Sequence, residues 1–170
     1  MTAVETTRRA FLRGGTARRP AVRPPWARLD AFTDLCTRCG RCAAACPEGI
    51  LAAGDGGFPE VDFRNGGCTF CGACADACPQ PLFERAAAPW RLLPRIGAAC
   101  IAAGVVCRSC ADACAERALT FPRRAGGSTP VLDASACTGC GACVAVCPVG
   151  AVAMGGAAMA EMAMAGEARA

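Results

Sequence analysis

Cys36-Thr37-Arg38-Cys39-Gly40-Arg41-Cys42-Ala43-Ala44-Ala45-Cys46-Pro47 is the stretch on which the fold turns. Its cysteines are spaced C-x2-C-x2-C-x3-C, and a proline closes the run. The same spacing returns at Cys68, Cys71, Cys74 and Cys78 before Pro79, and again at Cys137, Cys140, Cys143 and Cys147 before Pro148. This is the ligand spacing of bacterial-type [4Fe–4S] clusters. Two-residue loops fold three thiolates around one face of a cubane, and the x3-C step starts a helix that carries the fourth thiolate away. Zinc sites take their four ligands as two pairs, whereas triplets followed by Cys-Pro favour cubanes.

Between the second and last of these runs lies an irregular one. Cys107, Cys110 and Cys114 fit its second, third and fourth positions, but the first position falls on Gly104 and Ala115 follows Cys114 in place of proline. Cys100 lies four residues before Gly104, giving C-x6-C-x2-C-x3-C. A longer first loop reaches a cubane if residues 101–106 bulge outwards. Cys100 is therefore the candidate first ligand, and the alternatives are a free thiol or a three-cysteine [3Fe–4S] site. The cofactors expected are [4Fe–4S] clusters, three from the full runs and a fourth from this one.

The spacing between runs shows a larger repeat. Cys46 to Cys68 is 22 positions and Cys114 to Cys137 is 23. Ile50-Leu51, the turn Gly54-Asp55-Gly56-Gly57 and Pro59-Glu60-Val61-Asp62-Phe63 read as a hairpin. Ala118-Leu119-Thr120-Phe121, a turn from Arg123 to Ser128, and Pro130-Val131-Leu132-Asp133 read as its counterpart. The expected fold is α+β, with tandem bacterial-type dicluster ferredoxin modules of short β-hairpins and short helices around clusters, and flexible termini. Its segments are a basic arm over 1–30, a first dicluster unit over 31–85, a linker over 86–99, a second unit over 100–153 and an Ala/Met-rich tail over 154–170. In a two-cluster ferredoxin the fourth cysteine of each run ligates the other cluster. That rule groups Cys36, Cys39, Cys42 with Cys78, and Cys68, Cys71, Cys74 with Cys46. It likewise groups Cys137, Cys140, Cys143 with Cys114, leaving Cys100, Cys107, Cys110 with Cys147.

Composition narrows the function. The 170 residues include 16 cysteines and no histidine, with seven Phe, two Trp and no Tyr to build a core. Metal ligation adds directly to folding free energy in such thin-cored chains, so the cluster-free chain is expected to be largely unfolded. The formal charge is +4, but thiolate-ligated clusters carry roughly −2 each when oxidised, so basicity does not argue for nucleic acid. Without histidine or a nucleotide-binding glycine motif, hydrolytic and hydride chemistry lack their usual groups, and no enzyme activity is expected.

The termini are read separately. Seven arginines from Arg8 to Arg28 crowd the arm, either as a partner-binding or membrane-surface element or as a solvated tail. Thr7-Arg8-Arg9-Ala10-Phe11-Leu12-Arg13 looks like a twin-arginine export signal. The apolar stretch such a signal needs is replaced by Gly14-Gly15-Thr16-Ala17-Arg18-Arg19-Pro20. A cytoplasmic protein without a transmembrane segment is expected, and clusters are assembled in reducing compartments. In Arg23-Pro24-Pro25-Trp26 the prolines stiffen the backbone, and Trp26 reads as a cap on the first module or a docking anchor. The tail, with Met154, Met159, Met162 and Met164, is expected to fray or to offer a Met face to a partner.

With these residues in view, the chain resembles the NapF family, ferredoxin-type proteins of the periplasmic nitrate reductase system. The resemblance rests on the Arg-Arg arm, Arg-Pro-Pro-Trp at 23–26, Cys36-Thr37-Arg38-Cys39, Gly57-Phe58-Pro59, Cys68-Thr69-Phe70-Cys71, Pro81-Leu82-Phe83, the irregular Cys107-Arg108-Ser109-Cys110 and Cys137-Thr138-Gly139-Cys140. It implies a cytoplasmic accessory protein that binds the precursor of the nitrate reductase catalytic subunit and assists its maturation before export. An electron-transfer subunit of an oxidoreductase complex is the other function that four clusters in a row would suit.

Overall fold

The computed structural model describes residues 21–122 and 128–156. Most of the basic arm, the turn at 123–127 and the tail beyond Gly156 lie outside the described residues, and so do the expectations that fall on them.

Each cysteine run makes one short helix. These are α2 (Arg41–Ala44), α3 (Ala73–Asp76), α4 (Ser109–Asp112) and α5 (Ala142–Ala145), preceded by α1 (Phe32–Leu35) at the entry to the first run. Every cluster-run helix carries the third cysteine of its run on its first turn and ends before the fourth. In three of them the N-cap is a glycine in the left-handed region, Gly40, Gly72 and Gly141, with φ of 74°, 82° and 80°. A side chain there would be strained, so glycine after the second cysteine is a requirement of the loop. In the irregular run Arg108 takes this place with φ −129°, so the loop enters its helix from a different direction.

Three antiparallel strand pairs join the runs. β1 (Leu51–Ala53) pairs with β2 (Pro59–Val61) in the register Leu51↔Val61, Ala52↔Glu60, Ala53↔Pro59. β4 (Leu119–Thr120) pairs with β5 (Val131–Leu132). The two hairpins close alike: the Asp62 N–H donates to Ile50 C=O at 2.7 Å and the Asp133 N–H to Ala118 C=O at 2.8 Å.

The third pair is not a hairpin. β3 (Leu92–Ile96) lies against β6 (Val152–Gly156), with Pro94 opposite Met154. Residues expected to belong to a linker and to a fraying tail thus form a sheet that closes the second half. Pro94 is tolerated because a two-stranded sheet leaves one edge of β3 free, so its missing N–H breaks no ladder. Met154 is buried at 8% exposure. The first half has a shorter equivalent: Ala27 bridges Phe83, the Arg28 N–H donates to Leu82 C=O at 2.9 Å and the Glu84 N–H to Trp26 C=O at 2.9 Å.

The two halves share a core. Phe63, from the first half, sits with Cys110, Leu119, Cys143, Val152 and Met154 of the second in one buried cluster. Phe32, Ile50, Leu51 and Leu82 are buried in the first half. Trp90 stands edge-on to Phe63 at 5.8 Å and to Phe70 at 5.7 Å, and Phe70 meets Trp26 at 6.2 Å.

Phe63 is delivered by a 3-10 turn, Phe63–Asn65, capped by Asp62, whose carboxylate accepts the Arg64 N–H at 3.0 Å. The Arg64 guanidinium beside it holds the Asp62 carboxyl below the usual carboxylate range. Because the folded value is depressed, this contribution is present above the ordinary carboxylate pKa and is lost as pH falls through the shifted one. Asp62→Ala should destabilise the loaded protein by about 1 kcal/mol, the usual loss of an N-cap, read from its urea midpoint.

A second local feature is Arg117, a non-glycine residue at φ 51°. Gly49 and Gly150, three residues after Cys46 and Cys147, occupy the same turn at φ 62° and 61°. Arg117→Gly should therefore stabilise the loaded protein by about 0.5–1 kcal/mol, the relieved strain less the entropy of the added glycine, and so raise its urea midpoint.

Candidate metal centres

The runs and helices bring fifteen of the sixteen candidate ligands into four neighbourhoods; the remaining one, Cys39, is exposed and has Thr37 and Arg41 beside its thiol. Cys42 has Cys36 and Cys78 as charge neighbours. Cys68 has Cys46, Cys71 and, across the units, Cys140, and Cys74 has Cys68, Cys42 and Cys46. Cys110 has Cys100 and Cys107. Cys137 has Cys140 and Cys114, and Cys143 has Cys140, Cys137 and, from the next group, Cys110. In three of the four groups a cysteine that ends one run stands among the first three of another.

Cavities repeat three of these groups. Cys46, Cys68, Cys71 and Cys74 line one, roofed by Pro25, Trp26 and Phe70. Cys100, Cys107, Cys110 and Cys147 line a second, with Ile96, Phe121 and Val152. Cys114, Cys137, Cys140 and Cys143 line an open cavity of about 470 Å³ that also includes Cys68. Cys100 thus stands in the cavity of Cys107, Cys110 and Cys147. The loop between Cys100 and Cys107 bulges, leaving Val106 at 98% exposure.

The thiols are poised for metal and not for charge on their own. Burial, then the neighbouring Cys68, pushes the Cys74 thiol up to about 11. Burial, then Cys140 and Cys137, pushes Cys143 up to about 12. Several thiolates side by side in a half-buried pocket repel one another, and a cationic centre relieves that repulsion. Backbone N–H groups are already turned towards sulfur. Ala118 donates to Cys114 Sγ at 3.3 Å, Ala151 to Cys147 Sγ at 3.2 Å and Phe70 to Cys68 Sγ at 3.4 Å. Burial opposes ionisation of Cys147, but the N–H groups of Val149, Ala151, Val152 and Gly150 together hold its thiol below the ordinary value.

Among the described residues no three Cys, Asp or Glu side chains come close enough to hold a single metal ion. Thiolates on one tetrahedral zinc lie about 3.8 Å apart, whereas a cubane spreads its four ligands over four irons. The convergent thiols, the small residues around them and the inward N–H donors fit an iron–sulfur cubane. A bound cluster would supply one-electron transfer at a potential set by such hydrogen bonds and by burial.

Three contributors lie outside the cysteine pattern. Trp26 roofs the cavity of Cys46, Cys68, Cys71 and Cys74, and Arg85 lies 5.7 Å over its ring. Arg23 stacks over Phe32 at 4.9 Å and donates to Pro59 C=O, pinning the arm to the first half. Trp90 Nε1 is buried, has no hydrogen-bond partner among the described residues and lies against Gly139 in the Cys137–Cys140 loop. No helix among the described residues is long and apolar enough to cross a membrane.

Four-residue helices, paired strands and two pairs of thiol sets define a dicluster ferredoxin built twice. The family model for the 4Fe-4S dicluster domain matches residues 35–81 and 99–151. The ferredoxin-type protein NapF of Haemophilus influenzae is 43% identical, over 91% of this chain and 96% of its own length. The ferredoxin-type protein NapF of Escherichia coli K12 is 44% identical, over 88% of this chain and 94% of its own. The chain belongs to the NapF family of ferredoxin-type iron–sulfur proteins.

Proposed function

We infer that the sixteen cysteines hold four [4Fe–4S] clusters in the cross-ligated sets and that the protein is a cytoplasmic accessory factor, not an enzyme. In this reading it binds the precursor of the periplasmic nitrate reductase catalytic subunit and assists its maturation, by cluster assembly or electron supply, before export. The observation that carries the reading is the likeness to ferredoxin-type NapF proteins over nine-tenths of the chain, supported by thiols that line three cavities. The two units are taken as 31–85 and 100–153, with β3 and β6 as a closure the second unit needs. Among the described residues, the candidate partner surface is a groove of about 1100 Å³ between Arg23–Asp30, Pro81–Glu84 and the edges of β3 and β6.

The test is an anaerobic pull-down from the cytoplasmic fraction with this chain tagged at its C-terminus. Capture of the signal-bearing precursor, lost when iron is removed, is the expected result. A precursor that never co-purifies, with nitrate reductase activity intact after deletion of the gene, would sink the idea. The serial placement of the thiol sets favours one other reading, an electron-transfer subunit of an oxidoreductase complex, whose mark is stoichiometric presence in the purified active complex.

A further inference from the structure

Nothing in a tandem repeat requires its two units to touch through their metal loops. Here they do. The Cys68 N–H donates to Cys140 C=O at 2.7 Å, directly linking the second run to the last. The approach is close enough that side chains are excluded on both sides. A Cβ on Gly67 would stand 2.9 Å from Ala142 Cβ and 3.0 Å from the Ala142 backbone nitrogen, and a Cβ on Gly141 would overlap the Phe63 ring. Cys68, Thr69 and Phe70 line the same cavity as Cys114, Cys137, Cys140 and Cys143. Phe63, Phe70 and Trp90 cover the contact from one side. On either flank α2 packs on α3 and α4 on α5, so each outer thiol set lies beside its inner one.

We propose that the Gly67-Cys68 and Cys140-Gly141 contact is the junction through which electrons cross between the two dicluster units, making the four thiol sets one ordered chain. The order is Cys36/Cys39/Cys42/Cys78, then Cys46/Cys68/Cys71/Cys74, then Cys114/Cys137/Cys140/Cys143, then Cys100/Cys107/Cys110/Cys147. The inference rests on the reading that these thiols hold clusters. The step moves one electron from a reduced inner centre to its oxidised neighbour. No bond forms or breaks, no proton moves, and an external one-electron donor replaces the electron. The chain's part is to hold the inner sets together by a backbone hydrogen bond that only glycine neighbours allow.

The test is EPR of the full-length protein, purified anaerobically, reduced with dithionite and assayed for iron. Cys39→Ala with Cys107→Ala disables both outer sets and leaves the inner two. Its reduced spectrum should keep spin–spin splitting and fast relaxation, with half the native iron. Two uncoupled signals in that variant overturn the proposal. Gly67→Val added to that double variant should remove the splitting at unchanged iron, whereas Gly104→Val in the same background, in open space, should change nothing. Unchanged splitting in Gly67→Val overturns the proposal; if that variant sheds iron, the double variant decides. A native chain that takes up no iron overturns the ligand reading and this one with it, while an iron-replete chain lacking the splitting overturns only this one.

Discussion

Removing the iron, with ferricyanide and a chelator under anaerobic conditions, is expected to unfold the described fold as a whole. No element among the described residues is long enough to stand by itself. The helices of the cysteine runs are four residues long, far below the roughly 12–15 residues at which an isolated helix becomes marginal. Among the described residues the strands run from two to five residues and pair only in twos, and isolated two-stranded ribbons are at best marginal. The core cannot compensate: among the described residues Leu82 is the one large side chain that is fully buried, and several of the buried members are cysteines. By analogy with structural zinc, each centre contributes on the order of 10 kcal/mol of binding free energy that appears as folding free energy. Far-UV circular dichroism should fall to a coil-like spectrum and amide exchange protection at Val61, Asp62 and Gly97 should vanish. An iron-free chain that keeps this protection would refute the argument.

What could be read from the sequence follows the range of the interactions involved. The cysteine spacings are local, so the four helices and the glycine after the second cysteine were legible from residues a few positions apart. The hairpins were legible because Ile50-Leu51 and Val61 sit around a glycine turn, and Leu119 and Leu132 around another. Leu92–Ile96 was not. Its partner lies sixty residues on, Pro94 interrupts it, and nothing in Leu-Leu-Pro-Arg-Ile alternates. Met154 misled for the same reason, being the start of an Ala/Gly-rich tail by composition and a buried strand residue by pairing. The weld between the units was illegible too. Gly67 and Gly141 look like ordinary loop glycines until Ala142 and Phe63 are set against them, and Trp90 gives no sign in the sequence that it will meet Phe63 and Phe70.

The decisive result for the candidate centres is a pattern of iron losses that do not add. Cys100→Ser, Cys147→Ser and the double variant should each lose the same single centre, because Cys100 and Cys147 line one cavity with Cys107 and Cys110. Cys137→Ser with Cys147→Ser, two positions of one run, should instead lose two centres, because Cys137 belongs with Cys114, Cys140 and Cys143. Effects that share a partner fail to add, while those at separate sites do. Were each run to hold its own cluster, the outcome would reverse: the Cys137 and Cys147 pair would lose one centre and the Cys100 and Cys147 pair two. Iron and acid-labile sulfide per chain, counted on anaerobically purified variants, separate the two arrangements. Should Cys100→Ser lose no iron while Cys107→Ser loses a full centre, Cys100 is a spare thiol. The irregular site would then be a three-cysteine centre completed by Cys147.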